Sequence, residues 1–377
     1  MFRCHLWFPN IFEFKGGIQV YSAFLLDALQ SIAPETHYEV FLKHDKRYPP
    51  ELERRENLRF HCTGKWSLSI RTLMFASQVL YYGAVEKPDL ILTTHLNFTP
   101  AAYWLKRQFG IPYWTIVYGV DAWNIQRRRL KVALQNADRI ISIGEYTRDR
   151  LLKEQNLDPQ RFSLLPCTFD ASSFQIAPKS QTLLDRYGLK PDTKIILTVA
   201  RLDDSEQYKG YDKIISALPL IRQQIPNIHY ILVGKGSDRD RVEGLIEGLQ
   251  LQDFVTLAGF VPDEEILDYY NLCDVFAMPS KGEGFGIVYL EALACGKPAL
   301  GGNCDGAIDA LRGGELGALV NPDSVEEIAA TLVNILQGTY PNPLMYQPEH
   351  LREKVIEVYG VEQFNRTLAQ ILATKIS

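Results

Sequence analysis

Short runs rich in Val, Ile and Leu alternate with amphipathic segments along this chain, and the alternation stops once and then restarts. Strands separated by crossover helices build parallel sheets covered on both faces. The first series predicts strands at Arg3–Phe8, Tyr38–Leu42, Leu58–Cys62, Leu90–Thr94, Tyr113–Val117, Arg139–Ile143 and Ser163–Leu165. Helical patterns such as Ile18–Ile32, Ile70–Val85 and Leu130–Asn136 lie between them. The second series predicts strands at Lys194–Val199, Tyr230–Val233, Val255–Leu257, Val275–Met278, Ala299–Gly301 and Ala318–Val320. Helices are expected at Asp212–Gln224, Arg239–Leu249, Asp263–Asn271, Ile287–Ala294 and Ser324–Gln337. Between the two series Pro166–Ser180, with two prolines and no period, reads as a linker. A chain of 377 residues suits two cores of roughly 150–200 residues rather than one. The expected architecture is two Rossmann-like, doubly wound parallel-sheet α/β domains in tandem, 1–170 and 171–360, facing across a cleft. A last helical stretch, Val361–Thr374 within 361–377, is long enough to cross back to the first domain.

Composition narrows the class. Hydrophobic content of 46% with 23% charged residues is that of a soluble globular protein. No apolar run reaches the ~20 residues of a membrane helix, and the N-terminus lacks the pattern of a signal peptide. A cytoplasmic location is expected. The cysteines (Cys4, Cys62, Cys167, Cys273, Cys295, Cys304) form no C-x-x-C pair and no zinc-ligand spacing. They read as buried thiols in a reducing compartment. Charge is uneven: residues 1–165 carry 22 basic and 16 acidic side chains, and the remainder 18 and 29. A basic first half can attract anionic acceptors or the anionic face of a membrane. No basic–aromatic pattern for nucleic acid is seen.

In open parallel sheets ligands bind outside the carboxyl ends of the strands. Gly16-Gly17 follow the first strand and open an amphipathic helix, where free N–H groups can meet an anion. After Lys194–Val199 come Arg201 and then Lys209-Gly210. Two cations at one strand end can clamp a diphosphate, Arg by its fork and Lys as a point charge. Gly234-Lys235-Gly236 and Gly259-Phe260-Val261 follow the next two strands and can receive a base. The most specific stretch is PSKGEGFGIVYLEALACGKPALG, where Glu283 and Glu291 lie eight apart. Gly282, Gly284 and Gly286 keep the loop narrow enough for a sugar to lie against backbone. Gly286 to Val288 begin a helix whose N–H groups can hold phosphate oxygens. Glu291, set among Leu290 and Ala292-Leu293-Ala294, is hard to read as a solvated carboxylate.

Taken together these residues resemble the family 4 retaining glycosyltransferases (glycosyl transferases group 1), whose fold is called GT-B. The resemblance covers nearly the whole chain in element order, and its specific part runs from Arg201 to Gly302. It implies that Arg201 and Lys209 bind the donor diphosphate and stabilise the charge on it as the sugar leaves. It implies that Glu291 holds the ribose and Glu283 the hydroxyls of the donor sugar. Phe285, Gly286, Ile287 and Val288 would give backbone contacts, Phe260 and Val261 would lie near the base, and Gly16 and Gly17 would leave room for the phosphates. One segment departs from the family: its His-Gly-x-Asp or His-Gly-x-Glu reads Tyr118-Gly119-Val120-Asp121 here. Tyr118 puts the histidine's sugar contact in doubt. Asp121 keeps the acidic position, and His95 is a candidate substitute.

The resemblance also implies retention at the anomeric carbon, and closure of the domains around Pro166–Ser180 on donor binding is expected. Arg201, Lys209 and backbone N–H groups would do the work of a divalent ion, so neither metal nor other cofactor is expected. The adjacent Asp203-Asp204 read as solvated. UDP-glucose is the first expectation for the donor, with GDP-mannose as alternative, on family frequency rather than on a residue. The acceptor expectation is a glycan or a lipid-linked oligosaccharide in exopolysaccharide or envelope polysaccharide assembly, with peripheral membrane contact. Arg127-Arg128-Arg129 and Lys131 suit an anionic carrier, and Trp66, Tyr103, Trp104 and Trp123 offer stacking faces. A hydrolysing nucleotide-sugar epimerase and a two-domain sugar-binding protein share the architecture, but the paired cations disfavour both. A nicotinamide dehydrogenase lacks its G-x-G-x-x-G after the first strand.

Overall fold

The computed structural model describes residues 2–13 and 16–374. By its internal contacts the chain forms two units: the N-terminal part through Thr168 joined by the stretch from Glu362 onward, and Phe169–Val361.

In the first unit, strands β1 (Arg3–Phe8), β2 (His37–Leu42), β3 (Leu58–Cys62), β4 (Leu90–Thr93), β5 (Tyr113–Val117), β6 (Arg139–Ser142) and β7 (Phe162–Leu164) form a sheet. Their order is β3-β2-β1-β4-β5-β6-β7, and every pairing is parallel. The order turns around β1, which pairs with β2 on one side and β4 on the other, so chain exits diverge there. Helices α1 (Gly17–Ile32), α2 (Leu68–Glu86), α3 (Thr99–Phe109), α4 (Arg128–Gln135) and α5 (Glu145–Gln155) make the crossovers.

In the second unit, α6 (Gln181–Tyr187) precedes β8 (Lys194–Val199), and α7 (Tyr211–Gln224), β9 (Ile228–Val233), α8 (Arg239–Gly248), β10 (Val255–Gly259), α9 (Asp263–Leu272) and β11 (Val275–Met278) follow. The unit continues with α10 (Ile287–Ala294), β12 (Ala299–Gly302), α11 (Ala307–Ala310), β13 (Ala318–Val320), α12 (Val325–Leu336) and α13 (Pro348–Tyr359). Its parallel sheet has the order β10-β9-β8-β11-β12-β13 and turns around β8. Helix α7 buries Tyr211, Ile214, Ile215, Leu218 and Ile221, the three-and-four spacing of one helical face. They join Ile196, Tyr230, Ala277 and Leu332 in one core. Each such side chain contributes about 1.5–3 kcal/mol when fully buried.

Helix α14 (Val361–Ala373) packs on the first unit. Phe364 meets the Tyr21 ring edge-on at 5.5 Å, and Arg139 Nη1 donates to the Ile371 carbonyl at 3.3 Å. The expected linker is tied down in its middle. Arg352 donates to the carbonyls of Ala171 at 2.7 Å and Ala294 at 2.5 Å, and also to that of Phe174.

Strand expectations hold to within one or two residues. Helices α3, α5, α6, α11 and α13 are not among the expected segments. Helix α5, EYTRDRLLKEQ, shows why: it buries only Thr147, Leu151 and Gln155, so no apolar stripe marks it.

Candidate active site

The carboxyl edge of the second sheet is closed by backbone packed on backbone. Gly234, just after β9, has φ +143°, and a Cβ there would lie 1.7 Å from the Ala200 carbonyl oxygen at the end of β8. A Cβ on Gly306 would lie 2.1 Å from the Gly284 carbonyl oxygen. Only glycine allows either approach. The exits of neighbouring strands thereby form one continuous rim.

Four charges meet on this rim. Lys209 Nζ donates to Glu283 Oε2 at 2.9 Å and lies 3.7 Å from Glu206 Oε2. Arg201 Nη2 pairs with Glu206 Oε1. The side chains of Lys209 and Glu206 are only 12% and 10% exposed, whereas that of Arg201 is 66% exposed. Burial alone would lower the Lys209 pKa, but the charge of Glu283 leads the contributions that raise it above the ordinary lysine value. Lys209 is therefore held as a cation. Gly210 behind it has φ +77° and abuts the Pro279 carbonyl, which fixes where the lysine leaves the backbone.

The Glu283 loop is held from below. The Glu283 N–H donates to Asp305 Oδ2 at 2.7 Å, and Ala307 N–H donates to Asp305 Oδ1 at 2.9 Å. Asp305 is fully buried, and burial pushes its pKa up to about 6 against those backbone donors. Gly286 caps α10 with φ +93°, and Tyr289 beneath it donates to the Met278 carbonyl at 2.5 Å. The α10 start carries no acidic residue in its first turn, so its positive end is not internally neutralised. Ile287 and Val288 are half-buried there. Phe285 is different: its ring is buried and meets Tyr359 edge-on at 5.4 Å, so the ring itself offers no exposed face.

Glu291 lies apart from the four-charge group. Tyr270, itself buried, donates its hydroxyl to Glu291 Oε2 at 2.6 Å. That bond orients the carboxylate, and burial raises the Tyr270 pKa well above its ordinary value. Phe260 stands 66% exposed with Lys235 Nζ 4.6 Å from its ring centre, and Val261 beside it is half-buried. An exposed ring of this size is a surface for a planar base.

Sequence reasoning missed Glu206, Tyr270 and Asp305. The first sits in a charged run, LDDSEQYK, that reads as a solvated loop. The other two act through residues far away in sequence. No Asp-x-Asp motif was expected, yet the chain holds one, Asp238-Arg239-Asp240, and it is occupied internally at its first member. Asp238 accepts from Tyr211 at 2.6 Å, Gln207 at 2.9 Å and Arg241 at 2.6 Å. Among the described residues no cluster of three or more His, Cys, Asp or Glu could hold a metal ion.

The first unit carries the remaining candidates. Gly16 precedes α1 in extended conformation, and a Cβ on Gly17 would meet nothing within 4 Å. His95 Nδ1 accepts from the Asn97 N–H at 3.1 Å, and burial brings its pKa down to about 4, helped by Lys43 and His44. Tyr118 is buried, its ring edge-on to Tyr21 at 5.2 Å, and its hydroxyl has no well-formed hydrogen bond. Its N–H donates to Asp121 Oδ1 at 3.0 Å, while Asp121 Oδ2 is buried without a partner. Burial pushes the Asp121 pKa up to about 7, restrained by N–H donors from Tyr118 to Ala122. At the exits of β1, β2 and β3, Glu13, Lys46, Arg47 and Lys65 line a cavity of about 580 Å³. Buried Asp45 ties these loops together, accepting from the N–H groups of Ile11, Phe12 and Glu13. Trp66 and Trp104 are exposed, and Arg150 stacks 4.4 Å from the Trp123 ring centre.

Two known sequence families match in tandem: "Glycosyltransferase Family 4" over residues 15–173 and "Glycosyl transferases group 1" over residues 180–356. The chain belongs to this group 1 / family 4 glycosyltransferase family, and its fold is GT-B. A curated relative is the GDP-mannose-dependent alpha-(1-6)-phosphatidylinositol monomannoside mannosyltransferase of Mycolicibacterium smegmatis, 30% identical over 220 residues. That match covers 56% of this chain and 56% of the relative, so the chain spans about half the length of the curated relatives it matches first. Among solved structures, a sucrose-phosphate synthase from Thermosynechococcus elongatus superposes with TM-score 0.79 at 23% identity, covering 100% of this chain and 99% of that one. Anabaena HepE, solved in complex with UDP and glucose, gives 0.78 at 19% identity, covering 99% and 100%. At these identities the likeness is one of fold. No described helix is long and apolar enough to cross a membrane.

Proposed function

We propose that this chain is a hexosyltransferase that moves a sugar from a nucleotide-diphosphate donor to an acceptor hydroxyl. The observation that carries the reading is the Arg201–Glu206–Lys209–Glu283 group at the strand exits of the second unit. In the reaction the bond between the anomeric carbon and the diphosphate oxygen breaks. Its electron pair leaves on the diphosphate, the acceptor oxygen bonds to the anomeric carbon in its place, and the acceptor's hydroxyl proton passes to the departing diphosphate oxygen. Arg201 and Lys209 face the charge that develops, and preorganised cations at such a point lower the barrier. Glu283 accepts from hydroxyls of the sugar, and Glu291, oriented by Tyr270, accepts from the ribose. Retention at the anomeric carbon and independence of metal and cofactor belong to the same reading. A chelator should then leave turnover unchanged.

UDP-glucose is the preferred donor, supported by the fold likeness to a protein solved with UDP and glucose. GDP-mannose is the second reading, favoured by the mannosyltransferase relative. The acceptor side is assigned to the first unit, where the basic cavity of Lys46, Arg47 and Lys65 suits an anionic, lipid-linked glycan acceptor. A role in polysaccharide assembly at the inner face of the membrane fits that charge. The test is release of free UDP or GDP from a panel of nucleotide sugars with EDTA present, followed by the anomeric configuration of the product. Turnover of one donor with retention supports the reading. A strict need for manganese, or inversion, contradicts the corresponding part.

A further inference from the structure

We propose that Glu206 is a positioning residue of the donor site, one that sets both the placement of Arg201 and Lys209 and the hold on the departing nucleoside diphosphate. This rests on the reading of the site given above. Glu206 is 8% exposed, with one carboxylate oxygen on Arg201 and the other 3.7 Å from Lys209 Nζ. That second oxygen is buried and has no hydrogen bond. The loop holding it is exposed at Asp204, Ser205 and Gln207 but braced by hydrogen bonds. The Glu206 N–H donates to the Asp203 carbonyl at 2.7 Å, and Asp203 Oδ1 accepts from the Ser205 N–H at 3.0 Å. The Tyr208 carbonyl accepts from Lys281 N–H at 2.9 Å, which anchors the loop to the Glu283 segment.

Two cations and two carboxylates sum to no net charge in the absence of ligand. A diphosphate must therefore compete with Glu206 for Arg201. Arg201 is exposed enough to turn from one to the other, while the buried Lys209 stays in place. After the turn Glu206 remains beside the diphosphate as a buried like charge, in surroundings where screening is weak. It opposes product retention while keeping the lysine in register. Charge and reach are separable in two substitutions. Glu206→Gln keeps the hydrogen bond to Arg201 and removes the charge. Glu206→Asp keeps the charge and shortens the arm.

The experiment is calorimetric titration of the full chain with UDP and with GDP, EDTA present, for the wild type and both variants. Steady-state inhibition by the same nucleotide is measured beside it. Glu206→Gln is expected to bind the preferred nucleotide about tenfold more tightly, a gain of about 1.4 kcal/mol, with product inhibition strengthened by the same factor. Glu206→Asp is expected to bind it more weakly and to lower kcat. A merely structural role would weaken binding in both. Unchanged or weaker binding by Glu206→Gln at wild-type melting temperature overturns the proposal and leaves the nucleotide reading standing. Should the Gln variant not fold, wild-type affinity and kcat in Glu206→Asp overturn it. A wild-type chain that binds neither nucleotide removes the reading itself, and the proposal with it.

Discussion

The two sheets present the same kind of edge and finish it in different ways. On the second unit the candidate side chains are partnered inside the protein: Lys209 by Glu283, Arg201 by Glu206, Glu291 by Tyr270. The open valence among these side chains is Glu206 Oε2, whereas on the first unit His95 is bonded locally and two other candidates keep buried oxygens without a well-formed hydrogen bond. These are Asp121 Oδ2 and the Tyr118 hydroxyl, and Gly17 faces open space. A diphosphate and a ribose are common to many donors, so their site can be built in advance. An acceptor varies, and a site for it keeps groups waiting for partners. An unsatisfied buried polar group costs about 1–3 kcal/mol, which is tolerable where a ligand later repays it.

The sharpest break in that comparison is Lys209→Ala. Removing the cation takes away a donor aimed at developing charge, about 3–4 kcal/mol, so donor turnover should fall by some two to three orders of magnitude. A variant retaining a tenth of wild-type turnover would mean that the network is only structural.

Glycine pairs separate fold from function next. Gly234→Ala forces a side chain against the Ala200 carbonyl at a positive φ and should destabilise the chain by about 1–3 kcal/mol or more. Gly17→Ala meets nothing and should leave the melting temperature within about 1 °C or raise it slightly. It should nevertheless weaken donor use if the phosphates pass there. Thermal melts by circular dichroism beside donor kinetics decide the matter, and equal melting losses in both variants would erase the contrast.

Acid should distinguish the units in turn. His5 is fully buried, and burial brings its pKa from 6.5 down to about 3, opposed by Glu39 and reinforced by His61, Arg3 and His37. A histidine with a depressed folded pKa contributes stability that is present above 6.5 and lost as pH falls toward 3. His95 adds the same sign, with its fall toward about 4. Asp121, raised from 3.8 to about 7, acts oppositely: the stability tied to its protonated form is lost as pH rises through about 7. All five tryptophans lie in the first unit. Their emission reports that unit alone, and its melting temperature should decline from pH 6.5 downward. A flat profile between pH 7 and 4 would contradict the His5 burial.

The smallest effect expected is that of Tyr118→Phe. Its hydroxyl makes no well-formed hydrogen bond, with only Ser22 and Thr94 as weak partners, so the melting temperature should hardly move, with a change under about 1 kcal/mol. Altered acceptor use without altered stability would place that hydroxyl at the acceptor.

The difference between the edges also explains what the sequence could tell. The second unit's candidates were readable because their demands are local: Gly286 must cap α10, Gly234 must clear Ala200, and Glu283 and Glu291 must straddle a helix start. These fix residue types at short spacings. Their supports were not readable, since Tyr270 and Asp305 act across 21 and 22 residues. Glu206 looked like surface because a charged run carries no sign of burial. On the first unit, Tyr118 stands where the family resemblance led us to expect histidine, and nothing in its neighbours foretold that the ring packs on Tyr21. Helix α5 escaped for a related reason: one buried leucine in eleven residues leaves no period to find.

On the proposed reading the nucleotide part of the donor sits on the rim of the second unit. Hydrogen–deuterium exchange of the full chain with and without UDP or GDP tests it most directly. Added protection is expected on residues 201–210, 234–236 and 283–291. Protection confined to the first unit, with those segments unchanged at saturating nucleotide, would contradict it.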